Sequence, residues 1–279
     1  MAVSSRGLRL AILLALVWGL SYPLIKITSG YASPVVISIF RVVVSSFFFL
    51  ALTKGRIAKG KDELIVGIFN VALFMLLLNF GTALSPNPGI AAVMIYTQPI
   101  FVIVIEKILG TNLSLRSIIG VIIGFTGIIV SVSSSSFSLG IMVSLLGGLT
   151  WALGTVIFSR RIRNSNILEL NAFMSLISIP ILIPFLSLDF YFIVNPLSIS
   201  LLISLSVLAQ VAGYITWFSM VKEMGGIRAS SASLLVPITS YFMSFIVLGD
   251  LPTELEVIGS VITLVGVYIT LSESRTGKS

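Results

Sequence analysis

The side chains fit for chemistry are few in this chain and narrow in kind. There is no histidine and no cysteine among its 279 residues. That excludes disulfides, imidazole or thiolate metal sites, and proton transfer through His. No Asp or Glu falls in the central part of any long apolar stretch. Glu106 is the nearest, and it sits beside Lys107 at a stretch end. Two cations do lie inside such stretches, Lys26 and Arg41. The remaining polar set is Ser, Thr, Asn, Gln, Tyr and Trp. Such groups hold a small molecule by hydrogen bonds and ring faces. Without interior acids or metal ligands they lack the tools of acid–base or metal catalysis. The sequence therefore predicts no catalytic residue, no metal and no cofactor.

Spacing sorts the polar residues into helical faces. Near residue 235, Ser230, Ser233, Pro237, Ser240 or Tyr241, and Ser244 recur every three or four positions. Upstream, Ser206, Gln210, Gly213, Tyr214 and Trp217 do the same. Trp18, Ser21, Tyr22 and Lys26 form a broad polar-aromatic face early in the chain, and Thr150, Trp151 and Thr155 form its counterpart. Ser38, Arg41 and Ser45 align, answered by Asn171, Ser175 and Ser178. Asn79 joins this set, because sliding Pro99 onto Pro237 lays Asn79 on Trp217 and Phe80 on Phe218. Asn70 lies half a turn away and is expected on another face. Tyr96 and Gln98 flank the Pro99 site. The expected substrate contacts are thus Trp18, Tyr22, Asn79, Tyr96, Gln98, Trp151, Gln210, Tyr214, Trp217, Ser230, Ser233 and Tyr241. Packing competes with binding at the serines, since small residues in membrane helices also mediate close contact. Gln98 pairs with a freed carbonyl or with a ligand. Arg41 requires an acceptor, either a helix C-terminal carbonyl or a substrate anion, and Lys26 can snorkel.

The elements that carry these residues are membrane helices. The chain is 57% hydrophobic and 10% charged, with a mean hydropathy of +1.13; a soluble protein carries about 25% charged residues. A span needs about 20 apolar residues. Ten segments qualify: 8–28, 34–53, 64–84, 89–109, 115–133, 138–158, 167–187, 198–220, 227–249 and 255–272. The first reads as a span, not a cleaved signal. If the N-terminus is cytoplasmic, fifteen of the seventeen Lys and Arg residues fall at cytoplasmic ends and none in an external loop. This is the positive-inside pattern, with both termini inside. Pro180 and Pro184 are expected to bend the end of the seventh span.

Pro99 and Pro237 interrupt the fourth and ninth spans, freeing the carbonyls of Ile95 and Ser233. Two interrupted segments at matching places in two halves point to a carrier's binding site. Other marks repeat too. Trp18 and Trp151 each precede a small residue, and Gly110, Gly120 and Gly127 are in register with Gly249, Gly259 and Gly266. Gly120, Gly124, Gly127, Gly259 and Gly266 are expected to pack helices. Five spans per repeat is odd, so the second copy, 134–279, must be inverted relative to the first, 1–133. The fold class expected is all-α integral membrane: ten helices in two inverted five-helix repeats.

On these residues the chain resembles the drug/metabolite transporter superfamily, and within it the EamA family. The marks are the Trp-small start of each repeat, Arg41 early in the second span, small residues leading to a mid-span proline (Ala91, Ala92, Pro99; Ala229, Ser230, Pro237), and the closing glycine. The family often carries an acid just after that glycine. Here the second copy has Asp250 but the first has Thr111. The resemblance implies a ten-helix carrier with a central cavity, moving amino acids, other metabolites or drugs, or nucleotide sugars and sugar phosphates in eukaryotic relatives.

The cavity expected from the residues is aromatic and uncharged, suiting a small neutral or zwitterionic metabolite such as an amino acid, moved by alternating access at the cell membrane, with export as the expected direction. With no interior acid, ion coupling is expected to be weak or absent. A carrier of sugar phosphates or nucleotide sugars would need clustered cations. A non-transporting scaffold would need no cavity. The partners expected are the substrate and the bilayer, with no nucleic acid, in a monomer or homodimer.

Overall fold

The computed structural model describes residues 4–85, 88–133, 138–249, 251 and 253–271. Asp250, Arg275 and Lys278 lie outside them. Among the described residues, ten helices are long and apolar enough to cross a membrane: Ser5–Thr28, Pro34–Thr53, Lys61–Leu84, Ile90–Ile108, Leu115–Val132, Leu139–Arg161, Ile167–Ser187, Pro196–Met224, Gly226–Leu248 and Glu254–Leu271. We call them the first to tenth spans. Their outer faces carry large apolar side chains such as Phe47, Ile108 and Tyr268, each more than two-thirds exposed. Only a lipid solvent accommodates such a surface.

Several spans are not regular α-helix. The fourth breaks between Pro88–Ile95 and Gln98–Ile108, and the ninth between Gly226–Ala232 and Leu235–Leu248. Each break lies just ahead of the proline, which opens the following helix. The Ser233 carbonyl is not left free as expected. The chain tightens at the break, and the Val236 N–H donates to it at 2.9 Å. The seventh span ends in a 3₁₀ turn, Ile183–Ser187, where Pro184 cannot continue the α pattern. The third and eighth spans hold π-helical segments, Ile68–Leu73 and Leu205–Ala212, that no residue type announced. Sliding Pro99 onto Pro237 lays the first π segment inside the second.

The spans pack in reciprocal pairs. The first lies on the ninth and the sixth on the fourth; the second lies on the seventh and the fifth on the tenth. The fifth and tenth meet through their glycines. A Cβ at Gly127 would fall 2.5 Å from Gly259 O and Thr263 N. The Thr263 hydroxyl is 3.1 Å from Gly124 O and 2.8 Å from Gly259 O. Close backbone approach of this kind is what joins helices where lipid removes the hydrophobic drive.

Two sets of contacts lie at the bundle ends. At the basic end, Arg160 donates to Glu106 at 2.7 and 3.0 Å, and both engage Thr111. Arg161 pairs with Asp62 at 2.9 Å and Arg56 with Glu169 at 3.3 Å. At the other end, Ala32 and Phe192 form an isolated antiparallel bridge. Ser33 N–H donates to Tyr191 O at 2.8 Å, and Ile193 N–H to Tyr31 O at 2.7 Å. Apart from the Thr111–Glu106 bond, each of these contacts joins a residue before 134 to one after it.

Gly127→Leu places bulk where backbone already sits. It is expected to cost about 1–3 kcal/mol through overpacking, read as a lower midpoint in a fluorescence melt of the purified protein. An unchanged midpoint would mean that the fifth and tenth spans do not meet at this glycine.

Candidate functional site

Aromatic rings from five spans converge near the helix midpoints. The ring centroids of Trp18 and Trp151 are 5.5 Å apart and edge-on. Trp217 lies 5.8 Å from Trp18 and 4.7 Å from Trp151. Phe74 and Tyr96 flank Trp151 at 5.4 and 5.2 Å, and Tyr214 flanks Trp18 at 5.9 Å. Each such ring pair contributes about 0.5–1.5 kcal/mol beyond its area.

The rings are anchored by the irregular backbone. A π segment leaves carbonyls without their usual helical partner, and in a bilayer each must find another donor. Trp18 Nε1 donates to Ala209 O at 2.9 Å, and the Tyr214 hydroxyl donates to Asn70 O at 2.6 Å. Both acceptors belong to π segments. Gly213 leaves room for the indole, since a Cβ there would collide with it. Asn70 points its amide at Gly154 of the sixth span, while Asn79 faces the second.

A void lies among Trp18, Ser21, Tyr22, Arg41, Phe74, Met75, Leu78, Tyr96 and Tyr214. It admits the centre of a water-sized sphere over only about 10 Å³, room for about one water. The cavity is thus small, and it is not uncharged as expected, because Arg41 lines it. Arg41 is 1% exposed. Its one hydrogen bond among the described residues is a long one, 3.5 Å from Nη1 to Asn79 Oδ1, and its Nε has no partner. Asn79 is held in that orientation because its Nδ2 donates to Ser38 Oγ at 2.7 Å. An unpaired cation buried this way costs several kcal/mol. The carbonyl acceptor expected for Arg41 goes instead to Lys26, whose Nζ reaches Ser85 O at 2.8 Å and Ala83 O at 3.4 Å, at the third span's end. Lys26 is half-buried rather than a second buried charge.

The other expected residues are buried but stand back from the void. Trp151 and Trp217 back its rings. Gln98 pairs with neither the Ile95 carbonyl nor the lining; its Nε2 donates to Thr155 Oγ1 at 3.3 Å. Gln210 is fully buried beside Tyr214. The ninth-span stripe is buried throughout, yet Ser230, Ser233, Pro237 and Tyr241 do not line the void. The Ser233 hydroxyl turns back on Ser230 O at 2.7 Å. Phe74, Met75 and Leu78 were missed because they are apolar. Met75, four residues before Asn79, shares its helical face, whereas Leu78 and Phe74 lie progressively further round the helix.

Such a bundle, with interrupted helices around a small aromatic chamber, defines a polytopic membrane transporter. The comparisons agree. The model of the EamA-like transporter family matches twice, over residues 5–133 and 138–272, and the chain belongs to that family. It is similar to an uncharacterized transporter of Archaeoglobus fulgidus, 29% identical over 263 residues, covering 91% of this chain and 94% of that one. It is also similar to a probable amino-acid metabolite efflux pump of Escherichia coli K12, 25% identical over 293 residues, covering 97% and 96%. A crystal structure at 15% identity superimposes with a TM-score of 0.76 over 95% of this chain and 96% of the other, which shows a shared fold.

Trp18→Phe keeps a ring but removes the donor to Ala209 O, an expected loss of about 1–3 kcal/mol for the stranded carbonyl. Trp18→Ala also removes ring packing and should cost about 3–5 kcal/mol. Melting midpoints of the two variants check the order; equal midpoints would mean that the indole N–H contributes nothing.

Proposed function

We propose that this protein is a secondary carrier that moves a small neutral or zwitterionic metabolite, an amino acid or a related compound, out of the cell by alternating access. The observation that carries this reading is the nearly shut aromatic chamber, lined by residues of 1–133 and by Tyr214 of 134–279, with Trp151 and Trp217 behind its rings. In this reading the halves are two inverted copies of one five-helix unit, each end of the bundle opens in turn, and the state described is the occluded one. Support comes from the reciprocal packing: exchanging the first five spans for the last five turns the first–ninth contact into the sixth–fourth contact. The aligned π segments and the paired proline breaks support it too.

The end contacts supply the gates. The Arg160–Glu106, Arg161–Asp62 and Arg56–Glu169 pairs close the basic end, which the charge pattern assigns to the cytoplasm, with both termini on that side and the protein in the cell membrane. The Ala32–Phe192 bridge closes the outer end. The amino-acid assignment is favoured by the name of the Escherichia coli relative, a probable amino-acid metabolite efflux pump, and by a lining of hydroxyl-bearing residues, rings and one guanidinium. Sugar phosphates and nucleotide sugars fit less well, since one cation does not neutralise a phosphate cluster. A scaffold has no use for an enclosed aromatic chamber lined by a buried arginine.

Counterflow into proteoliposomes tests the reading. Vesicles preloaded with an unlabelled amino acid from a panel of twenty are expected to accumulate at least one of those amino acids from outside in labelled form. Glu106 is engaged by Arg160 and Thr111, so it belongs to a gate and not to a proton path. Net uptake is therefore expected to ignore an imposed pH gradient, and Glu106→Gln to change its rate without creating such a dependence. Accumulation of none of the panel, or uptake that follows the gradient and disappears in Glu106→Gln, would contradict the proposal.

A further inference from the structure

We propose that Arg41 is the anion anchor of the chamber, and that the substrate must carry a carboxylate to be bound there. The proposal rests on the carrier reading above and names the substrate's obligatory group.

Arg41 lines the void with its Nε unpartnered. It takes part in no ion pair among the described residues. The acids that could pair with it are occupied or remote. Glu106, Asp62 and Glu169 are held by Arg160, Arg161 and Arg56. Glu223 takes the Ser4 hydroxyl. Glu63 opens the third span beside Gly60, Asp189 belongs to the outer loop beside Ser33, and Glu254 and Glu256 begin the tenth span. Asn79 offers only its neutral amide oxygen, at 3.5 Å. A guanidinium sealed from water in this way lacks the counter-charge that buried cations require. A ligand that fills the chamber is positioned to bring one.

The guanidinium fork selects the chemistry. Its planar donors match a carboxylate, which can accept two parallel bonds. A phosphate would bring a second charge, and the other cation of these spans, Lys26, is spent on Ser85 O and Ala83 O. Tyr22, Tyr96 and Tyr214 line the same void, the Tyr214 hydroxyl being held by Asn70 O, and Trp18 and Phe74 line it too, with rings suited to an apolar chain or an ammonium group. A neutral α-amino acid supplies both ends of this arrangement. The corresponding amide, the same molecule with its carboxylate neutralised, supplies one.

The test uses the full chain in nanodiscs. Thermal melts are recorded with each of the twenty amino acids, with the corresponding α-amides, and with chloride alone. Wild type, Arg41→Gln and Arg41→Lys are compared. At least one amino acid is expected to raise the wild-type midpoint, its amide is not, and Arg41→Gln is expected to weaken the apparent affinity about 100-fold. Arg41→Lys should keep part of it. Without ligand, Arg41→Gln should melt at or above wild type, because the unpaired charge is gone. The assignment is overturned if an amide stabilises as well as its acid, if Arg41→Gln binds like wild type, or if no amino acid shifts wild type. It is also overturned if chloride alone gives the full shift. A ligand-free Arg41→Gln that melts far below wild type, with Arg41→Lys restoring the fold and not the binding, makes Arg41 structural and overturns it as well. Counterflow separates this from the parent reading: amides carried as fast as acids sink the anchor and leave the carrier standing, while no amino acid carried at all sinks the carrier.

Discussion

A backbone carbonyl loosened inside a bilayer has no water to turn to, and the centre of this protein is organised by that constraint. The third and eighth spans loosen theirs with π segments, and the fourth and ninth break at prolines. The donors that answer are aromatic. Trp18 reaches across to Ala209, and Tyr214 reaches across to Asn70. Each bond ties residues 1–133 to residues 134–279, so satisfying the backbone and gluing the halves are one act. The rings that do this are also the walls of the chamber, which is why chamber and seam coincide.

The chamber's electrostatics follow from the same economy. The spans contain little charge, and most of it is settled at the ends by ion pairs or by carbonyls, as with Lys26 at the third span's terminus. Arg41 stands apart. It is buried, held at one corner by Asn79, and open on the side of the void. Its cost is incurred in the folded state, and in the proposal above an occupant of the chamber offsets it. Burial of this kind recurs at functional positions in membrane proteins.

Much of the architecture was legible from residue types. Apolar length marked ten spans within a few residues of their observed ends, and prolines marked the breaks in the fourth and ninth spans and the 3₁₀ end of the seventh. Gly110 and Gly249, at φ of +82° and +78°, close the fourth and ninth spans as their positions suggested. The π segments were not legible, because an i→i+5 pattern is set by packing and no residue demands it. The partners of Lys26 and Arg41 were not legible for a related reason: the sequence tells depth in the membrane but not which neighbour's helix end comes within reach. The ninth-span serines show a further limit. A hydroxyl folded back on its own helix, as in Ser233, has the same spacing as one turned toward a substrate. Phe74, Met75 and Leu78 line the void without any polar signal.

Two gates around one seam form the core of this account. The chain has no cysteine, so thiol pairs can be introduced cleanly. The decisive measurement is transport by variants bearing Tyr31→Cys with Ile193→Cys at one end, or Asp62→Cys with Arg161→Cys at the other, before and after bridging with a short reducible thiol cross-linker. Each bridge alone should stop transport, and reduction should restore it. Full transport with both ends bridged would contradict the claim that solute passes by opening them in turn.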